Sequence, residues 1–156
     1  MAALRRLTKT DLPRLRQFWI ERWGGDEMVI RGRLVRPDGL EGFIAADWQG
    51  VVTFHVQDRE CEITSLDSLT EGQGLGTALI EAVAGEARQM GCRRLTLITT
   101  NDNLHALGFY QRRGFRLSAI HAGAMDQARK LKPTIPPIGE NNIPLRDEIE
   151  LELRLD

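Results

Sequence analysis

Apolar positions along the chain recur either every two residues or every three to four, and the two periods divide it into strands and helices. The clearest alternation is the C-terminal RDEIELELRLD. There Ile149, Leu151, Leu153 and Leu155 alternate with Glu148, Glu150, Glu152 and Arg154, which predicts a strand with one wet face. AALRRLT, near the N-terminus, reads as a short edge strand. Leu12, Leu15, Phe18, Trp19 and Trp23 then follow at helical spacing. Thr10 or Asp11 can cap that helix, Pro13 sits near its first turn, and Gly24-Gly25 stops it. Residues 26–42 are mixed and carry a Pro37-Asp38-Gly39 turn.

Three strands, Gly42–Trp48, Val51–Val56 and Cys61–Leu69, read as an antiparallel meander with turns at Gln49-Gly50 and Asp58-Arg59. Leu75, Leu79, Val83, Ala87 and Met90 form the stripe of a long helix that Gly91 ends. Arg94–Thr99 is a compact apolar strand, Asn101 to Asn103 cap a short helix through Arg113, and Phe115–Ala122 is another strand. Residues 123–145 hold Pro133, Pro136, Pro137 and Pro144 and are predicted to be a long, partly irregular insertion. The order β-α-β-β-β-α-β-α-β-β implies an α/β fold, a mixed sheet with helices on both faces.

Composition narrows the classes. A chain of 156 residues predicts a single domain over 1–156. A net charge of −1 argues against a protein built to coat nucleic acid, and no apolar run is long enough for a membrane span. The N-terminus lacks the features of a signal peptide. Cys61 and Cys92 are too few for a disulfide framework, and no Cys/His cluster suggests a metal. The expectation is a cytoplasmic protein with no metal, no nucleic-acid partner and no membrane partner. An exposed apolar strand edge leaves a homodimer open.

The strongest chemical signal is EGQGLGT, between the third strand of the meander and the long helix. Gly72, Gly74 and Gly76 let the backbone approach a ligand, and the helix adds its unpaired N-terminal amides and positive dipole end. That combination binds phosphate. A phosphate loop of the GxxxxGK[ST] kind is excluded because the stretch has no lysine, and Leu79 breaks a GxGxxG fingerprint at its last place.

This loop resembles the [Q/R]xxGx[G/A] motif of the GNAT superfamily of acyl-CoA-dependent N-acyltransferases, whose backbone amides hold the pyrophosphate of coenzyme A. Glu71 stands at the first position, Gly74 and Gly76 at the glycines, and Thr77-Ala78-Leu79 on the helix. A shifted reading through Gln73, Gly76 and Ala78 fits the pattern at the cost of moving the helix start. A second, independent segment, with Asn103, Ala106, Tyr110, Gly114 and Phe115, is similar to the family's NxxAxxxYxxxGF. Positions 103, 106, 107 and 110 form one helical stripe, so Asn103 and Tyr110 are expected to face one cleft about 10 Å apart along the axis.

The resemblance implies about seven mostly antiparallel strands with a central parallel pair splayed at the coenzyme site. It implies acetyl-CoA as cosubstrate and a primary amine of a small molecule or peptide as acceptor. Leu66, Ser68, Gln73, Gly74, Leu75, Gly76, Thr77, Asn103 and Tyr110 are the expected coenzyme contacts. Tyr110, the only tyrosine, matches the general acid, because a phenol near pKa 10 is protonated at neutral pH. The backbone amide of Leu66 matches the oxyanion donor. For the base the alternatives are Glu62 and ordered water. Period-2 geometry puts Glu62, Thr64 and Leu66 on one face, beside an apolar cleft that would raise the Glu62 pKa. Arg112 and Arg113 read more simply as a solvated helix end than as contacts to the remote phosphate. The other reading is a coenzyme-binding regulatory module that keeps the fold without turnover.

Overall fold

The structure, a computed structural model, describes residues 3–70 and 72–156. Strand β1 (Leu4–Arg6) leads into helix α1 (Leu12–Trp23), followed by a small hairpin of β2 (Met28–Ile30) and β3 (Arg33–Val35). The meander comprises β4 (Glu41–Ala45), β5 (Gly50–Gln57) and β6 (Glu60–Ser68). Next come α2 (Leu75–Gln89), β7 (Arg94–Thr100), α3 (Leu104–Arg112), β8 (Arg116–His121), α4 (Ala124–Leu131) and β9 (Glu148–Arg154). Seven strands form one sheet in the order β1-β4-β5-β6-β7-β9-β8, while β2 and β3 pair only with each other. Every neighbouring pair of the large sheet is antiparallel except β6–β7. This is the mixed sheet the sequence implies.

The two faces carry separate cores. Leu79, Val83 and Ala87 of α2 are fully buried against Val52 and Phe54 of β5 and Leu95 of β7, and α3 packs on the same face. Each such leucine contributes about 1.5–3 kcal/mol by burial. Met90, the last residue of the predicted stripe, lies past the helix end and is exposed. The opposite face buries Leu15, Phe18 and Trp19 of α1 against Ile44 and Val51. There Met28 and Val35 bring the β2–β3 hairpin onto the edge of that core.

Several boundaries differ from the sequence reading. The β4–β5 turn spans residues 46–49, with Asp47 and Trp48 at φ 47° and 65°, and Gly50 already belongs to β5. The turn swings Trp48 into the α1 core, which ends the strand at Ala45. Asp58-Arg59 is a turn, as the sequence predicts, and the structure makes both residues left-handed, with φ 54° and 64°. The segment 123–145 is more ordered than its prolines suggest. Helix α4 forms before the first of them, and Met125 and Ala128 pack with Leu145 and Val29. Arg129 then donates to the carbonyls of Pro136 and Leu145, and Asp102 accepts from Glu140 N–H at 2.7 Å.

Candidate acyl-transfer site

The site begins where β6 and β7 part. They pair in parallel only from Glu60↔Arg94 to Ile63↔Leu97. Beyond that point β7 stays paired with β9 as far as Thr100↔Glu148, and β6 stays with β5 as far as Gly50↔Ser68. The C-terminal halves of two neighbouring strands therefore diverge, leaving the β7-side edge of residues 64–68 without a strand partner.

A bulge in β6 accompanies the divergence. The β5–β6 register slips between Thr53↔Ser65 and Phe54↔Ile63, so Thr64 is an extra residue. The Thr53 hydroxyl bonds both Thr64 (2.7 Å) and Ser65 (2.6 Å), which pins the bulge from one side. The consequence corrects the simple alternation read from sequence. Leu66 pairs with Val52 and so faces α2, whereas Glu62, paired with His55, and Asp67, paired with Val51, face α1. Glu62 and Thr64 share a face; Leu66 does not.

The glycine loop lies at the end of β6, and Glu71 falls outside the described residues. Gly72 and Gly74 have φ of 75° and 74°, and no atom lies within 4 Å of where either Cβ would be. Gly74 caps α2, and the first intrahelical bond runs from Ala78 N–H to Gly74 O. The amides of Leu75, Gly76 and Thr77 thus precede the helical ladder and remain for a ligand. Gly76 has a different reason to be glycine: a Cβ there would sit 2.8 Å from the Phe109 ring of α3. Gln73 is exposed in the loop, and the Ser68 hydroxyl donates to Thr70 O.

Helix α3 closes the other side. Tyr110 is buried edge-on between Phe109 and Phe115, at 5.2 and 5.4 Å between ring centroids. Burial pushes its phenol well above the usual tyrosine range, with the Asp67 charge adding to the rise. Asn103 caps α3, its side-chain oxygen accepting from Ala106 N–H at 3.1 Å. Arg113 is not a solvated helix end. Its guanidinium stacks 3.5 Å above the Phe109 ring and donates to the Thr77 hydroxyl at 2.8 Å, placing a cation at the first turn of α2. Glycine cradle, free amides and cation together fit a pyrophosphate.

Glu62 stands away from the splay, in a charged depression rather than beside an apolar cleft. Arg33 of the hairpin binds it at 3.0 Å, and Arg31 binds Glu150 on the same wall at 2.8 Å. Thr96 and Ile98 form part of the floor of this depression, whose volume is about 710 Å³. The cysteines are inert: burial raises the Cys61 thiol to about 12 and also raises that of Cys92. Among the described residues no group of His, Cys, Asp and Glu could hold a metal ion, and no helix is long and apolar enough to cross a membrane.

Comparison with known proteins bears on this geometry. The Acetyltransferase (GNAT) family matches residues 8–115, a span that includes the bulge, the glycine loop and Tyr110. The chain belongs to the GNAT family. It is 44% identical to the uncharacterized protein YdhI of Bacillus subtilis over 139 residues, which are 86% of this chain and 87% of that one. A mycothiol acetyltransferase of Geodermatophilus obscurus is 29% identical over 99 residues, 63% of this chain and 28% of its own length. Among solved structures, a Bacillus subtilis acetyltransferase in complex with CoA superposes with a TM-score of 0.70 over 99% of each chain at 20% identity. A GNAT acetyltransferase of Elizabethkingia anophelis with acetyl-CoA bound gives 0.69 over 98% of this chain and 97% of that one, at 21% identity. At such identities these structures share the fold.

The sequence names Arg113 but reads it as a solvated helix end, because no local pattern ties it to α2. Asp67 was not singled out. Asp67 stands in the strand CEITSLDSL, apolar or hydroxylic apart from it and Glu62, two residues from Ser65 and four from Ile63. A carboxylate in step with Ile63 was the available signal.

Proposed function

We propose that the protein is an N-acetyltransferase that moves the acetyl group of acetyl-CoA onto a primary amine of a small molecule or peptide by direct attack. The observation that carries this reading is the splay of β6 and β7 between a glycine cradle at the start of α2 and a buried phenol on α3. The amides of Leu75, Gly76 and Thr77, with Gly74 and the Gln73 backbone, hold the pyrophosphate, and Arg113 adds charge beside them. Leu66 N–H, on the strand edge facing the splay, donates to the carbonyl oxygen as it becomes an oxyanion. Ser68 and the Asn103 amide nitrogen line the coenzyme's path.

Tyr110 donates its proton to the sulfur as the C–S bond breaks. Its raised pKa keeps the phenol protonated throughout the working pH range. The same rise makes it a weak acid, so proton transfer must accompany bond cleavage rather than precede it. Glu62 lies on the acceptor face and is suited to taking a proton through water, not by direct contact.

The test combines binding and turnover. Coenzyme A should raise the melting temperature by mass action, and acetyl-CoA with a panel of primary amines should release free thiol. A thermal shift without thiol release would identify a coenzyme-binding module instead. No shift at all would remove the acyl-CoA assignment.

A further inference from the structure

Asp67 is a carboxylate that the scheme above leaves unused. It occupies the diverging part of β6, between Leu66 and Ser68, and the bulge turns its side chain to the α1 face, opposite the face that carries α2 and α3. Only 6% of that side chain remains exposed. Its partners come from the last turn of α1: the Trp23 indole N–H donates at 3.2 Å, and Arg22 Nε lies 3.5 Å away.

We propose that Asp67 is a catalytic residue that receives the ammonium group of the acceptor and takes its proton. The proposal rests on the acetyl-transfer reading and assigns its amine site. Three features support it. The residue adjoins the amide assigned to the thioester carbonyl, so an amine bound to its carboxylate lies next to the carbon to be attacked. Its charge contributes to the rise of the Tyr110 phenol, so base and acid lie within electrostatic reach of each other across the sheet. Its anchors are weak, since Trp23 is 47% exposed and the Arg22 side chain 44% exposed. A carboxylate buried this far with such partners is incompletely compensated for its desolvation. A substrate cation would supply a stronger partner.

The proton balance is complete. The ammonium gives one proton to Asp67, which passes it to water. The neutral amine forms the C–N bond, the C–S bond breaks, and Tyr110 protonates the leaving thiolate. The second proton lost by nitrogen restores the phenol, so the products are amide, free thiol and one proton in solution.

Desolvation raises the Asp67 pKa, and Trp23 and Arg22 oppose the rise. Among the described residues, the charged or titratable groups that act on it are Arg22 on its own face and Tyr110 of α3 across the sheet, and its pairing partner on β5 is Val51. The folded-state value is above the unfolded one. Stability is therefore lost as pH rises from the ordinary carboxylate range through the raised value. Asn at this position removes that loss.

The experiment uses the full chain with acetyl-CoA and three acceptors: 1,4-diaminobutane, kanamycin and an alanine-terminated peptide. For the acceptor that the parent turns over, Asp67→Asn should lower kcat/KM about 10²-fold and abolish the acidic limb of its pH profile. It should leave acetyl-CoA affinity within twofold and raise the melting temperature at neutral pH. Trp23→Phe, on an exposed ring, should move the acidic limb to higher pH, because the indole N–H favours the ionised carboxylate. An active parent whose Asn variant keeps the acidic limb, or loses activity equally at every pH with a lower melting temperature, overturns the role of Asp67 alone. A parent that binds no acetyl-CoA and releases no thiol overturns the acetyl-transfer reading itself.

Discussion

The two faces of the sheet are built by different means. On the α2–α3 face the site is made of backbone: positive φ at Gly72 and Gly74, the first amides of α2, and a strand edge without a partner. Behind it stands a continuous apolar core from Val52 to Leu151. On the α1 face the β2–β3 hairpin is tied down by side chains. Arg31 reaches Glu150 across 119 residues of sequence and Arg33 reaches Glu62 across 29, and their side chains are 45% and 52% exposed. Exposed pairs of this kind hold by about 0–1 kcal/mol each. A common cosubstrate calls for a rigid cradle. A weakly fastened hairpin can be altered without disturbing the core, so on the proposed reading the difference separates the coenzyme cradle from the acceptor side.

The largest test of that separation is Tyr110→Phe. The ring keeps its contacts with Phe109 and Phe115 while the proton is lost. Turnover should fall about 10²-fold with acetyl-CoA affinity nearly unchanged, measured as kcat against Kd. An alkaline limb in the parent's profile below the ordinary tyrosine value near 10 would point to another group, because burial moves this phenol upward. Gly74→Asp comes next. The site around Gly74 is open and aspartate tolerates left-handed φ better than most residues, so the variant should fold and act by charge. Acetyl-CoA binding should weaken at least tenfold, about 1.4 kcal/mol, in a calorimetric titration. Unchanged affinity in a folded variant would place the pyrophosphate elsewhere.

The same division explains what could be read from the sequence. Each half of the coenzyme side lies within one short stretch, so spacing identified the glycine loop and the Asn103–Phe115 segment. Yet Gly76 is required by a contact with Phe109, 33 positions on, which no local pattern encodes. The bulge at Thr64 was equally hidden: alternation assumes one residue per step, and a single extra residue moved Leu66 to the other face from Glu62. The hairpin strands are three residues each, too short to display a period, and their ties run to distant glutamates. Helix α4 was obscured by the prolines that follow it, although none lies within Ala124–Leu131.

The smallest expected effect lies on the α1 face, at the Arg33–Glu62 pair. Arg33→Ala should loosen the hairpin and raise the acceptor KM by up to about fivefold, the equivalent of one exposed ion pair, leaving acetyl-CoA affinity untouched. Glu62→Gln breaks the same pair and also removes a carboxylate that could draw a proton through water. If Glu62 serves only as a latch, the two single variants and the double variant should share one KM and one pH profile. If it also takes up protons, Glu62→Gln should cost a further few-fold in rate at low pH, where the amine is most protonated, and Arg33→Ala should not. The double variant would then follow Glu62→Gln rather than Arg33→Ala. The cycle reads the coupling between the two residues directly, since both act through one contact at 3.0 Å. A KM change of tenfold or more in Arg33→Ala would show that the hairpin is fastened more firmly than exposed charges allow. The contrast between the two faces would then lie in chemistry alone and not in rigidity.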